Sequence, residues 1–226
     1  GAARHRRANG HPPTSRWPLL RLRRLATVLI ALVLFTACSS APQAVRPAQI
    51  NAQQAAADLL AQHDANADGV LSAEEAIACP AVAANFVKYD ANTDGQIDED
   101  EIATRFQQWS ADGAGVLRVG CRVTLDGRPL AGANVQLEPE FCFEGALQPA
   151  TGTTDGHGQC SLTVDPANLP EELSRVRGVQ PGLYAVKITH PEISLPEKYN
   201  SEATLGLEVA SDTLGPAGTE FALSAR

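Results

Sequence analysis

The chain has 226 residues, 18 of them basic and 26 acidic, and 44% of its residues are hydrophobic. That length accommodates one or two domains, and that composition excludes wholesale disorder, a collagen-like chain and a multi-span membrane protein. A net charge of −8 argues against nucleic acid as a partner, because phosphate backbones are bound through a basic face.

The charge is unevenly placed. Seven of the 18 basic residues and none of the 26 acidic ones fall in residues 1–38, which leaves 11 basic against 26 acidic over the remainder, a net −15. After Arg21, Arg23 and Arg24 comes an uncharged run, LATVLIALVLFTA, at residues 25–37. As a helix it would reach only about 20 Å, short of the roughly 30 Å hydrocarbon core of a bilayer. A basic stretch, a short apolar stretch and then small residues form the pattern of a secretory signal over residues 1–37. Phe35-Thr36-Ala37-Cys38 resembles a bacterial lipobox, which implies cleavage before Cys38 and a diacylglycerol anchor on its sulfur. The alternative is a plain signal cut near Ala37, with Cys38 an ordinary thiol. The proline-containing residues 38–50 then read as the anchor cysteine and a flexible tether.

Residues 52–63 (AQQAAADLLAQH) are rich in helix formers and lead into DANADGVLSAEE at 64–75. A second such stretch, DANTDGQIDEDE, occupies 90–101. Both match D-x-[DN]-x-[DN]-G-x5-E, the EF-hand loop. Calcium is a hard cation that takes six to eight oxygens, and each position of the motif has a part in supplying them. Asp64, Asn66 and Asp68, and likewise Asp90, Asn92 and Asp94, offer side-chain oxygens from a tight turn. Gly69 and Gly95 tolerate the positive φ of position six. Val70 and Gln96 give a backbone carbonyl, Ser72 and Asp98 ligate directly or through water, and Glu75 and Glu101 close the sites bidentately. The apolar Leu71 and Ile97 at position eight suit pairing of the two loops through short antiparallel strands. The expected cofactor is therefore two calcium ions.

Helices are expected at 72–79 and, beyond Pro80, at 82–89. Ile102, Phe106 and Trp109 recur at i, i+4 and i+7 on the helix leaving the second loop, with Phe86 and Tyr89 packed against them. The loops begin at residues 64 and 90, only 26 apart. That spacing, with a proline between, resembles bacterial extracytoplasmic EF-hand proteins. Short helices offer little groove to open, so structural or buffering calcium is expected over a sensor switch. The second loop, with four carboxylates against three, is expected to bind more tightly.

After residues 110–115 the hydrophobic period changes from 3.6 to 2. Leu117, Val119, Cys121, Val123 and Leu125 alternate with smaller or polar residues, and similar runs centre on Val135, Leu162, Val186, Leu207 and Phe221. Six or seven short strands with turn signals between them predict an antiparallel β-sandwich over 116–226, with one short helix at 170–177. The fold class expected for the whole is α+β multidomain, with a helical EF-hand pair at 51–110 followed by a prealbumin- or Ig-like sandwich. VTLDGRPLAGANVQLEP (123–139), TGTTDGHGQCSL (151–162), PGLYAVKI (181–188) and LPEKYN (195–200) resemble the carboxypeptidase regulatory-like, or transthyretin-like, family, especially versions in planctomycete-type secreted proteins. The resemblance covers nearly all of the second half and implies a noncatalytic accessory or interaction module.

With Cys38 set aside, Cys79, Cys121, Cys142 and Cys160 allow three pairings in an oxidising compartment. Cys121 and Cys160 share inward parity and suit a cross-strand bridge or buried thiols, while Cys142 is the expected partner of Cys160. Among possible bases, His157-x-x-Cys160 is half of a zinc pair without a second half, and His63 and His190 stand alone. No nucleophile elbow, metalloprotease helix or phosphate loop occurs, so no enzyme is expected. These features together predict an exported, lipid-anchored, calcium-binding protein of the periplasm or cell surface whose partner is an extracytoplasmic protein or glycan. The alternatives are a carbohydrate- or peptide-binding accessory of a hydrolase system and a calcium sensor.

Overall fold

In the computed structural model, which describes residues 48–171, 173–215 and 218–226, the first helix begins at Ala52. The predicted signal at 1–37, the Cys38 lipidation site and most of the tether lie outside the described residues. Asn51 caps helix α1 (Ala52–His63), its side chain accepting from the Gln54 amide, and Ala55, Ala56, Leu59, Leu60 and His63 form the buried stripe. Strand β1 (Val70–Ser72) follows, then the single-turn helices α2 (Ala73–Ala76), α3 (Pro80–Ala83) and α4 (Phe86–Tyr89), strand β2 (Gln96–Asp98) and helix α5 (Glu99–Ala111). The helix expected across 82–89 is thus two separate turns. Pro80 at the first position of α3 starts helix formation early, and Asn85 leaves helical geometry at φ −122° and ψ 18° while donating through Nδ2 to the Ala81 carbonyl.

The second half contributes β3 (Val119–Leu125), β4 (Arg128–Pro129), β5 (Asn134–Pro139), β6 (Ala150–Thr153), β7 (Gln159–Val164), β8 (Gly182–Thr189), β9 (Leu205–Val209) and β10 (Thr219–Leu223). They form one curled sheet in the order β10-β3-β7-β6-β5-β8-β9, with β4 paired to β3. The β-rich, largely antiparallel expectation holds, with two corrections. The layers of the expected sandwich are joined into one continuous curled sheet, because β7 pairs with β3 along 159–162 and with β6 at 163–164. In addition, β10 runs parallel to β3. Laid flat, this order would set β9 and β10 about 29 Å apart. Residues 210–218 must bridge them while turning at 211–213, so the sheet has to curl. The described residues of 170–177 form consecutive turns rather than the expected helix.

The helical segment and the sheet share one core in one compact unit. Phe143, from a 3-10 turn after β5, inserts its ring 4.9 Å from Phe106 and 5.9 Å from Trp109 of α5, and Tyr89 meets Phe106 edge-on at 6.5 Å. α3 lies directly on β9. A Cβ at Gly206 would overlap the backbone of Pro80 and Ala81.

A buried polar tie fastens the same two layers. Arg105 Nε donates to Glu208 Oε1 at 2.8 Å, and its terminal nitrogens fork onto both oxygens of Asp212 at 3.0 and 2.8 Å. Trp109 Nε1 donates to the same Glu208 oxygen at 3.0 Å. Glu208 is only 1% exposed, and its burial pushes its pKa up against the opposing pull of Arg105. Asp212, gripped by Arg105 and also by Lys88, is held well below the ordinary aspartate range.

Cys121 and Cys160 sit directly opposite each other on β3 and β7 and form a disulfide, with Cα atoms 5.2 Å apart. Cys79 and Cys142 are free thiols. The expected Cys142–Cys160 pairing is corrected, because strand register places Cys160 against Cys121 while Cys142 belongs to the 3-10 turn after β5.

Arg105→Ala is expected to lower unfolding free energy by about 3–5 kcal/mol, since it strands the Glu208 carboxylate in the core, whereas Lys88→Ala at the exposed rim costs about 1 kcal/mol or less. Urea denaturation of the two variants gives the comparison, and equal losses would contradict the buried tie. Gly206→Ala is expected to destabilise by about 1–3 kcal/mol by the same measurement, because two backbones cannot both yield to the added methyl.

Candidate metal centre

Each of the two acidic stretches is a loop between helices, and the two loops share one pattern of amide-to-side-chain hydrogen bonds. In the first, Asp64 Oδ1 accepts from the Asp68 amide at 3.2 Å and Oδ2 from the Gly69 amide at 2.8 Å. Asn66 Oδ1 accepts from Asp68 N at 2.8 Å, and Asp68 Oδ1 from Val70 N at 3.1 Å. In the second, Asp90 accepts from the Asp94 and Gly95 amides at 3.1 and 3.0 Å, Asn92 from Asp94 N at 2.8 Å, and Asp94 from Gln96 N at 2.9 Å. Side chains that accept from amides two to five residues ahead wind the chain into a turn. That turn requires positive φ at Gly69 (88°) and Gly95 (85°), where a Cβ would be strained.

The closing glutamates are placed by helix capping. Glu75 is the third residue of α2 and Glu101 the third of α5, and each completes a capping box with Ser72 or Asp98. One oxygen of Glu75 accepts from the Ala65 and Asn66 amides at 3.1 and 3.3 Å, and the other from the Ser72 amide and hydroxyl at 3.0 and 2.8 Å. Glu101 does the same to Ala91, Asn92 and Asp98 at 3.0–3.2 Å. Each glutamate therefore reaches back across the start of its own loop. Hydrogen bonds from Ser72 and the loop amides hold the Glu75 carboxyl below its ordinary range.

The loops are joined through their eighth positions. β1 and β2 pair antiparallel with Leu71 opposite Ile97, and both side chains are fully buried. Val70 faces Asp98 and Ser72 faces Gln96, so positions seven and nine exchange across a local two-fold relation. The twelve residues singled out by spacing thus lie in two matched turns back to back. Their donors are oxygens, which suits a hard divalent cation. Their carboxylates do not crowd to a single point. Like charges keep apart, and the loop amides hold each carboxylate in place.

The histidines considered as bases have other roles. His157 is exposed in the turn before β7, where its amide donates to Asp155 Oδ1 at 2.8 Å. His190 clips a loop, its Nδ1 accepting from the Glu192 and Ile193 amides at 3.1 and 3.0 Å and its Nε2 lying 2.9 Å from the Ala131 carbonyl. His63 ends α1, is 8% exposed, and its Nε2 has no hydrogen-bond partner. Burial, with Glu140 adding to it, pushes the Cys79 thiol up to about 12 and raises the Cys142 thiol as well. The proximity of His63 to Cys79 and Glu140 is invisible to sequence spacing. The only signal is the place of His63 on the apolar stripe of α1. No family model, no curated protein and no solved structure matches the chain.

Proposed function

We propose that this chain is an exported calcium-binding protein whose two loops are an EF-hand pair. The ion stabilises the helical layer, and the curled sheet acts as a noncatalytic interaction module. The observation that carries this reading is the repetition of one amide-to-side-chain pattern in two loops of EF-hand spacing, joined at their apolar eighth positions. In this reading Asp64, Asn66, Asp68, Val70, Ser72 and Glu75 supply one site and Asp90, Asn92, Asp94, Gln96, Asp98 and Glu101 the other. Lipidation at Cys38 would hold the protein on the membrane of an extracytoplasmic compartment, with a protein or glycan as the sheet's partner.

A structural role fits better than a sensor role. The helix leaving the second loop is fastened to the sheet through Arg105, Trp109 and the aromatic contact with Phe143, so opening a groove would break a buried ion pair. Outside the cytoplasm calcium stands near millimolar. A site of about 10 µM would then be filled and would add about 2.7 kcal/mol to the stability of the fold.

Calcium added to chelator-treated full chain is expected to raise the Tm by roughly 5–10 °C and to change the fluorescence of Trp109, which lies two turns beyond Glu101 on α5. Glu101→Gln should weaken the fluorescence response more than Glu75→Gln, because the second loop carries the larger charge. Absence of binding heat at millimolar calcium, with an unchanged melting curve, would overturn the proposal, and equal loss in the two variants would overturn the ranking of sites.

A further inference from the structure

Away from the two loops, three side chains from distant parts of the chain meet in the seam between helices and sheet. His63 is the last residue of α1, Cys79 stands just before Pro80 at the start of α3, and Glu140 follows β5. One donor atom from each lies within 4.8 Å of the other two, and this is the one such grouping of histidine, cysteine and acidic side chains among the described residues. Cys79 is fully buried, His63 is 8% exposed, and Glu140 is half-buried.

The second observation is the His63 ring itself. Its Nε2 is buried and has no hydrogen-bond partner. Buried polar atoms are normally paired, because the bond lost to water is otherwise not replaced. Here the ring that carries it belongs to a cluster whose other members are a thiol and a carboxylate.

We infer that His63, Cys79 and Glu140 form a binding site for a borderline-soft divalent cation, zinc being the best match, distinct from the two oxygen-lined loops. One nitrogen, one sulfur and one carboxylate oxygen make a mixed donor set that zinc accepts and calcium does not. A thiolate and a carboxylate together carry two negative charges, so a bound divalent ion leaves the buried site neutral. Tetrahedral zinc sets its ligand atoms about 3.4–3.8 Å apart, so closing from the present spacing takes about 1 Å of side-chain rotation. Binding forms a metal–sulfur bond and releases the thiol proton to solvent. The fourth position falls to water on the Glu140 side, where the cluster is least buried. Such an ion would pin the end of α1 and the start of α3 to the turn after β5, and it does not depend on the calcium reading.

The test is cobalt(II) titration of the reduced full chain in millimolar calcium, which keeps hard-cation sites occupied. The expected result is one equivalent of cobalt giving a thiolate-to-metal charge-transfer band and intense tetrahedral d–d bands, displaced by zinc. Cys79→Ser should abolish the charge-transfer band, which also separates this site from any other thiol. His63→Gln and the milder Glu140→Gln should each weaken binding by at least about tenfold. A purely octahedral cobalt spectrum, or a charge-transfer band that survives in Cys79→Ser, would overturn the assignment. So would a Cys79–Cys142 disulfide found by peptide mapping of the unreduced chain.

Discussion

Glu208 is a carboxylate on a strand, buried beneath a helix, where water cannot solvate it. Taking that charge out of water is offset by three donors that converge on its Oε1, from Arg105 and Trp109 on α5 and from the Tyr89 hydroxyl, while Asp212 and Gln108 accept from the rest of the guanidinium. The tie dictates where α5 lies on β9. Once α5 is placed, Phe106 and Trp109 meet Phe143 from the turn after β5, and Tyr89 closes the aromatic group. The helical layer is thereby fastened to the sheet by charge at one point and by apolar packing around it. Removing one partner would leave the other uncompensated, which gives the interface its directional character.

This anchoring bears on the proposed role of the loops. A helix pair free to swing can turn ion binding into an exposed groove. Here the exit helix of the second loop is part of the core, and α3 lies backbone to backbone on the sheet at Gly206. In the proposed reading, ion binding to such a frame would add stability to a shape already set by packing.

The free thiols and the disulfide divide along the same lines. Cys121 and Cys160 face each other across paired strands and staple two neighbours within the sheet. Cys79 lies at the seam between layers beside His63 and Glu140, where a metal ion would link the helical corner to the sheet's turn. Both the buried ion pair and the proposed zinc site would therefore fasten helices to sheet.

Local order was decided by the sequence alone. Acidic residues at fixed offsets, glycine at the sixth position, serine or aspartate three residues ahead of glutamate, and alternating apolar residues in the second half act over two to twelve residues. Hydrogen bonds and side-chain periodicity carry them without help from distant chain. Tertiary structure decided what depends on meetings across long separations. Arg105 and Glu208 are 103 residues apart, Cys121 and Cys160 are 39 apart, and His63, Cys79 and Glu140 come from three elements. No periodicity encodes such meetings. They follow from the curl of the sheet, the parallel placement of β10 and the seating of α5, each chosen by the packing of the whole core rather than by any one segment.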